Sequence, residues 1–216
     1  MSRSRKIFEL IQPRATGTVV CGNYLIIKPS VYVARGFFLD TTPHKNQMKL
    51  FRVVMPLYRP GEYFSLNYSN TISGEHAGLF LVDRKAYAES ASIVLDKINP
   101  HIEPLRNLHG PREFLGYISW MASNRMMPVR LDFGLTHYLL GNLQQATDIF
   151  RGMERDLADY KPQRQDRYRS VITQVLDLLE NDPAALQPLL DTWRDEQIEK
   201  LGLSASVVPP RLRLVP

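Results

Sequence analysis

The sequence predicts an α+β protein. A small antiparallel sheet of four or five strands stands behind a short N-terminal helix, and a helical half of five or six α-helices in hairpins follows. Two observations carry this. Between residues 24 and 70, apolar and polar side chains alternate at period two, the repeat of strands with one covered face. After Pro111 the apolar residues recur at three- and four-residue spacings, and prolines stand where helices begin. The net charge of +5 is also unevenly spread: residues 1–60 hold 10 Lys and Arg against only Glu9 and Asp40, a net of +8.

In chain order, residues 4–12 read as a short amphipathic helix with Ile7, Leu10 and Ile11 inward, stopped by Pro13 and the Thr16-Gly17 turn signal. Strands are expected over Tyr24–Ile27, Val31–Leu39, Leu50–Tyr58 and Tyr63–Asn70. In the third, Phe51, Val53, Met55 and Leu57 share one face, and Pro56 suggests an edge position or a bulge. In the fourth, Phe64, Leu66 and Tyr68 face inward. The run around Pro43 and the Arg59-Pro60-Gly61 run supply turns. Leu79–Val82 suggests a fifth strand. Asp83 stands at an N-cap position for a helix with Tyr87, Ala91, Val94, Leu95 and Ile98 on one face, ending near Asn99-Pro100.

Further helices are expected over 111–123, 128–140, 143–159, 164–180 and 183–201. Val171, Val175 and Leu178 should line one face of the fourth of these, and Leu186, Leu190 and Trp193 one face of the fifth. Gly202 suits the position after a helix end. The organisation is therefore a basic sheet region over 1–104, a helical region over 105–202 and an extended Pro-containing tail over 203–216, possible also as one fused globular domain.

Within the helical region, Phe133, Gly134, Tyr138, Gly141, Leu143, Ala146 and Phe150 follow a large–small–aromatic, Gly-turn, small–aromatic order. Residues 128–161 thus resemble a single tetratricopeptide-type helical hairpin. The family's aromatic position falls on His137 with Tyr138 beside it, and its closing proline is displaced to Pro162. A shift of about 34 residues gives no second copy. The resemblance implies close helix contact at Gly134 and Ala146, and it implies protein binding rather than catalysis. The layout of residues 1–127 is similar in outline to small bacterial toxin-immunity proteins, which implies an adaptor or immunity-type role in bacterial cytoplasm.

Functional side chains are few. Cys21 is the only cysteine, so no disulfide forms within the chain, as expected of a reducing compartment. Its apolar neighbours make it a small core residue rather than a nucleophile. His44, His76, His101, His109 and His137 show no metal-ligand spacing, and no phosphate-loop motif occurs, so no metal or cofactor is expected. No secretory leader is read at the N-terminus, where Glu9 and Gln12 interrupt the apolar run, and no stretch is apolar enough to span a membrane.

Asp83-Arg84-Lys85 resembles the second half of the restriction-endonuclease-like metal site, with Asp40, Glu62 or Glu75 as the partner acid, against the plainer reading of Asp83 as a helix cap. In that reading Asp83, Lys85, Glu62 and Glu75 would form a Mg-dependent nuclease centre.

The stronger feature is the sheet. Arg35, Lys49, Arg52 and Arg59 interleave with Tyr58 and Tyr63, and these six are the expected partner-binding residues, with Phe38 and Phe51 turned to the core. The leading reading is a non-catalytic interaction module binding an acidic protein surface. The alternative is a nucleic-acid-binding protein, since basic groups track phosphates and rings stack on bases.

Overall fold

The computed structural model describes residues 2–42, 47–61, 66–72, 79–81, 86–157 and 162–206. Its architecture is α+β, and the chain forms two compact units. Residues 1–57, 62–110 and 198–216 form the first. Residues 58–61 and 111–197 form the second. The first carries 16 Lys and Arg against 9 Asp and Glu, a net of +7; the second carries 11 against 13, a net of −2.

The first unit opens with α1 (Arg3–Ile11), capped by the Ser2 hydroxyl, which accepts the Arg5 N–H. It buries Ile7, Phe8 and Ile11; Leu10, expected inward, is exposed, because Phe8 completes the i, i+3, i+4 stripe instead. The strands are β1 (Thr18–Cys21), β2 (Tyr24–Ile27), β3 (Val33–Thr41), β4 (Gln47–Pro56), β5 (Asn70–Thr71) and β6 (Leu79–Leu81). The first four pair in sequence order, all antiparallel, and β5 and β6 both pair with β4 along its outer side. The β1–β2 hairpin, not read as a strand pair from sequence, closes through Gly22-Asn23 with Cys21 opposite Tyr24.

Three strand expectations are corrected. Leu66 to Ser69, read as part of the cleanest strand, forms a turn in which both the N–H and the hydroxyl of Ser69 donate to the Leu66 carbonyl. Asn67, Ser69 and Asn70 favour such local bonds over a ladder. Strand β4 is central rather than an edge. Pro56 is tolerated because it is the last residue of the strand and the next N–H, from Leu57, bonds the Tyr32 carbonyl. Finally, among the described residues neither face of the sheet is wholly polar.

Helix α2 (Tyr87–Arg106) is capped at Ala86, three residues after the expected Asp83, and runs through Pro100 and Pro104 instead of stopping. Both prolines stand on its exposed side, four residues apart, so the carbonyls they leave without an N–H partner face water. Its buried stripe is Ala91, Val94, Leu95, Ile98, Ile102 and Leu105.

The register sorts the side chains of the sheet. Leu25, Phe37, Arg35, Leu39, Leu50 and Val54 share the face covered by α1 and α2. Tyr24, Ile26, Ala34, Phe38, Phe51 and Met55 share the other. One end of that second face holds a cluster of Cys21, Ile26, Ala34, Met55 and Leu57 with Leu203. Residues 198–206 are therefore docked on the sheet, where an extended tail was expected from 203, and Ser30 N–H donates to the Ser206 carbonyl at 2.8 Å. Cys21 is a free, buried thiol whose pKa burial raises, as the plainer reading held.

The second unit contains α3 (Pro111–Ile118) with a short 3-10 turn at Ser119–Met121, α4 (Met127–Leu139), α5 (Leu143–Asp156), α6 (Pro162–Asn181) and α7 (Pro183–Lys200), whose last turn from Ile198 belongs with the first unit. The α4–α5 hairpin turns at Gly141, φ 78°, which lets the Asn142 N–H reach back to the His137 carbonyl and the Gly141 N–H to that of Tyr138. At Gly134 the two helices meet through the Phe150 ring: a Cβ there would lie 2.5 Å from Phe150 Cε2. The buried stripe of α6 is Ile172, Val175, Leu176 and Leu179, one residue on from the expected Val171 and Leu178. Leu186, Leu190 and Trp193 of α7 are buried as expected. Gly202, φ 63°, ends α7 as anticipated. No helix among the described residues is long and apolar enough to cross a membrane.

Candidate partner-binding site

The six expected contact residues are not all at the surface. Arg35, Lys49 and Arg52 belong to the first unit, Tyr58 and Arg59 to the second, and Tyr63 lies outside the described residues. Arg35 is a correction: it is fully buried on the helix-covered face. Its Nε donates to the Leu105 carbonyl at 2.9 Å and its Nη2 to that of Arg106 at 3.2 Å. Its Nη1 donates to Pro29 and Val33 carbonyls at 2.6 and 3.1 Å. The cation thus sits on the negative end of α2 and joins it to the β2–β3 connection. Burial and the nearby charge of Arg106 bring its pKa down to about 10.

Tyr58 is a second correction, fully buried in the helical unit. Its ring meets Phe114 edge to face at 6.5 Å. The Thr136 hydroxyl donates to the Asp132 carbonyl, so it must accept from Tyr58 Oη, 2.7 Å away. Arg59 is held by the buried Asp132 carboxylate at 3.2 Å. That pair sits in the same network as Tyr58, where charges are costly to separate. Both residues serve the interior of the second unit rather than an outer contact.

Lys49 and Arg52 are three residues apart on β4 and so point to opposite faces. Arg52 faces the helix-covered side, where its charge, after burial, lowers the pKa of His101 on α2. Only Lys49 stands on the other face, its Nζ 5.5 Å from the centre of the Phe51 ring.

That ring belongs to a feature composition did not reveal. Tyr24, Phe38 and Phe51 are cross-strand neighbours on β2, β3 and β4. They form a ladder, with centroids 4.7 Å apart between the first pair and 6.1 Å between the second, both stacked. All three are half-buried, although Phe38 and Phe51 were expected in the core. Asp40 lies directly across from Lys49, and after burial its charge helps raise the Tyr24 pKa. The ladder is thus a half-open aromatic strip with Lys49 and Asp40 beside it. The signal that could have found it is the shared parity of Phe38 and Phe51, combined with a register that the sequence does not supply.

Of the proposed nuclease centre, Asp83, Lys85, Glu62 and Glu75 all lie outside the described residues, as do His44 and His76. Among the described residues no three His, Cys, Asp or Glu side chains converge as metal ligands would. Comparison of this chain with protein-family models, with curated proteins and with solved structures finds no match.

Proposed function

We propose that the protein is a non-catalytic protein-interaction module whose first unit binds an acidic partner through the Tyr24–Phe38–Phe51 face of its sheet. The ladder is the observation that carries the reading. Half-open aromatic rings held rigid by strand pairing offer large contact area at little loss of side-chain freedom. The net charge of +7 on this unit favours approach of an acidic surface and sets its salt dependence. Lys49 supplies a local cation at the strip. The α4–α5 hairpin, read as tetratricopeptide-like, fits an adaptor role, and the buried thiol of Cys21 fits a reducing, cytoplasmic setting.

Single-stranded nucleic acid is the weaker reading. The rings of the ladder stack on one another, so their faces are taken up and mainly their edges remain. Asp40 across from Lys49 also offsets the local attraction for phosphate.

Affinity capture from the native cell, read by mass spectrometry, tests the reading with the chain and with Tyr24→Ser plus Phe51→Ser, both checked for folding by circular dichroism. A folded double variant should lose acidic partners that the unaltered chain retains at about 50 mM salt and releases at about 500 mM. The same partners on both proteins would overturn the assignment. A mobility shift of single-stranded RNA or DNA by the unaltered chain would turn it to the rival.

A further inference from the structure

The second face of the sheet is covered at one end by residues 198–206. There Leu203 packs among Cys21, Ile26, Ala34, Met55 and Leu57, and Tyr24 packs against the same cluster. The buried Ser206 follows, its carbonyl fastened by the Ser30 N–H. At the other end stand Phe38 and Phe51 of the ladder, both half-buried. Large rings left open on a rigid face favour the docking of further apolar surface. Through Tyr24 the ladder is contiguous with the surface that residues 198–206 already occupy.

The residues that follow read Val207-Val208-Pro209-Pro210-Arg211-Leu212-Arg213-Leu214-Val215-Pro216, and they belong to the same unit. They include no acid, and Leu212 and Leu214 share one side at the two-residue period of an extended chain. Their reach is sufficient. The ladder row lies about 20 Å along the strands from Ser30, and Phe51 about 10 Å across from β2. Val207–Pro210 spans about 12 Å as a proline-rich extended segment and Arg211–Leu214 about 13 Å more, which brings the two leucines level with Phe38 and Phe51. The nearby sheet edge is closed to them: the outward N–H groups of Thr18 and Val20 on β1 are taken by the Ala15 carbonyl and the Gln12 side chain. Charge also matches. Asp40 is exposed beside the ladder and makes no ion pair among the described residues, while the segment offers Arg211 and Arg213.

From these placements we infer that residues 207–216 fold back over the second face and cover the ladder. Leu212 and Leu214 rest on Phe38 and Phe51, and an arginine of the segment reaches Asp40. The inference extends, and in its consequence rests on, the reading of this face as the contact surface. On that reading the segment is a built-in occupant, and an acidic partner reaches the rings only by displacing it. The partner's acids assist the exchange, because they also draw Arg211 and Arg213 away from the sheet.

Hydroxyl-radical oxidation of side chains, read by mass spectrometry, tests the cover without any partner. It is compared in the unaltered chain, in a chain ended at Ser206 and in a full-length Leu212→Asp plus Leu214→Asp variant, each checked for folding by circular dichroism. If the segment leaves the rings bare about one-fifth of the time, oxidation of Phe38 and Phe51 should rise about fivefold in both variants. Trp120, in the second unit, is the control and should not change. A synthetic peptide of residues 207–216, added at millimolar concentration to the shortened chain, should restore the protection. Equal ring oxidation in all three proteins would overturn the inference, and so would a rise on shortening that the aspartate variant does not share. Capture of acidic partners by the shortened chain should improve by about the same factor of five. Capture without any change in ring oxidation would sink the cover and leave the contact face intact; that face stands or falls with Tyr24→Ser plus Phe51→Ser.

Discussion

Replacing Arg35 with methionine should unfasten the first unit. The guanidinium makes four bonds to carbonyls of Pro29, Val33, Leu105 and Arg106, and among the described residues no carboxylate pairs with it. At the low end, a bond from a charged donor contributes about 1.5 kcal/mol, or about 6 kcal/mol for four. Against this stands the burial penalty of the cation, which methionine avoids. The fall of the pKa to about 10 puts burial and the repulsion from Arg106, both of which methionine avoids, together at about 3 kcal/mol. A net loss of about 3 kcal/mol remains, a large part of the stability of a unit this size. Both tryptophans, Trp120 and Trp193, belong to the second unit, so their emission is a control that should not move. The reporter is amide hydrogen exchange of β2, β3 and β4, which should accelerate about a hundredfold. Arg35→Lys should lose nearly as much, because a compact ammonium cannot serve carbonyls on both sides of the planar fork. Exchange within about fivefold of the unaltered chain in Arg35→Met would refute the reasoning. Unaltered exchange in Arg35→Lys would show that charge alone, not the fork, holds α2 to the sheet.

Two further outcomes follow from the interior. Gly134→Ala should destabilise the second unit by about 1–3 kcal/mol despite the better helix propensity of alanine, since the fully buried Phe150 ring cannot retreat from the added methyl. Urea titration by tryptophan emission measures it, Phe150→Leu should recover part of the loss, and a stabilised Gly134→Ala would contradict the packing. Acidification should weaken both units. Burial, with the charge of Arg52 added at His101, holds His101 and His137 below the ordinary 6.5. As pH falls from there towards each lowered native value, the unfolded chain binds more protons, so stability declines by up to about 1.4 kcal/mol per pH unit for each histidine. His101→Gln should flatten the decline in the sheet's exchange and His137→Gln the decline in the tryptophan transition; an unchanged pH slope in either would oppose it.

The helices were largely legible because their signals are local: apolar spacing, prolines at first turns and Gly141 and Gly202 after last turns all act within one or two turns of chain. The misses needed partners. Pro100 read as the helix end, yet it and Pro104 fall on the exposed side of α2, where a released carbonyl finds water and the buried stripe from Ala91 to Leu105 holds the helix together. Residues 66–69 alternate as a strand should, but alternation cannot see that the Ser69 hydroxyl closes a turn on Leu66. Conversely, Thr18–Cys21 is too short to announce itself and becomes a strand only through its pairing with β2.

The candidate site was less legible, for a reason that period two makes plain. Alternation tells which residues of one strand share a face, but which residues of different strands meet depends on register, a property of pairing and turns. Composition placed Arg35, Lys49 and Arg52 together. Pairing sends Arg35 and Arg52 beneath the helices and leaves Lys49 with Tyr24, Phe38 and Phe51. Counting charge misled in the same way, since Arg35 is buried and Arg59 is engaged by Asp132. Exposed charge that remains, on Lys6 and Arg14, is carried by α1 and the turn after it. That helix covers the face opposite the ladder. Steering charge and contact rings therefore stand on opposite sides of one sheet. On the proposed reading, a partner drawn by the first would still have to turn to reach the second, so charge would bear on the rate of encounter and the aromatic face on how long the encounter lasts.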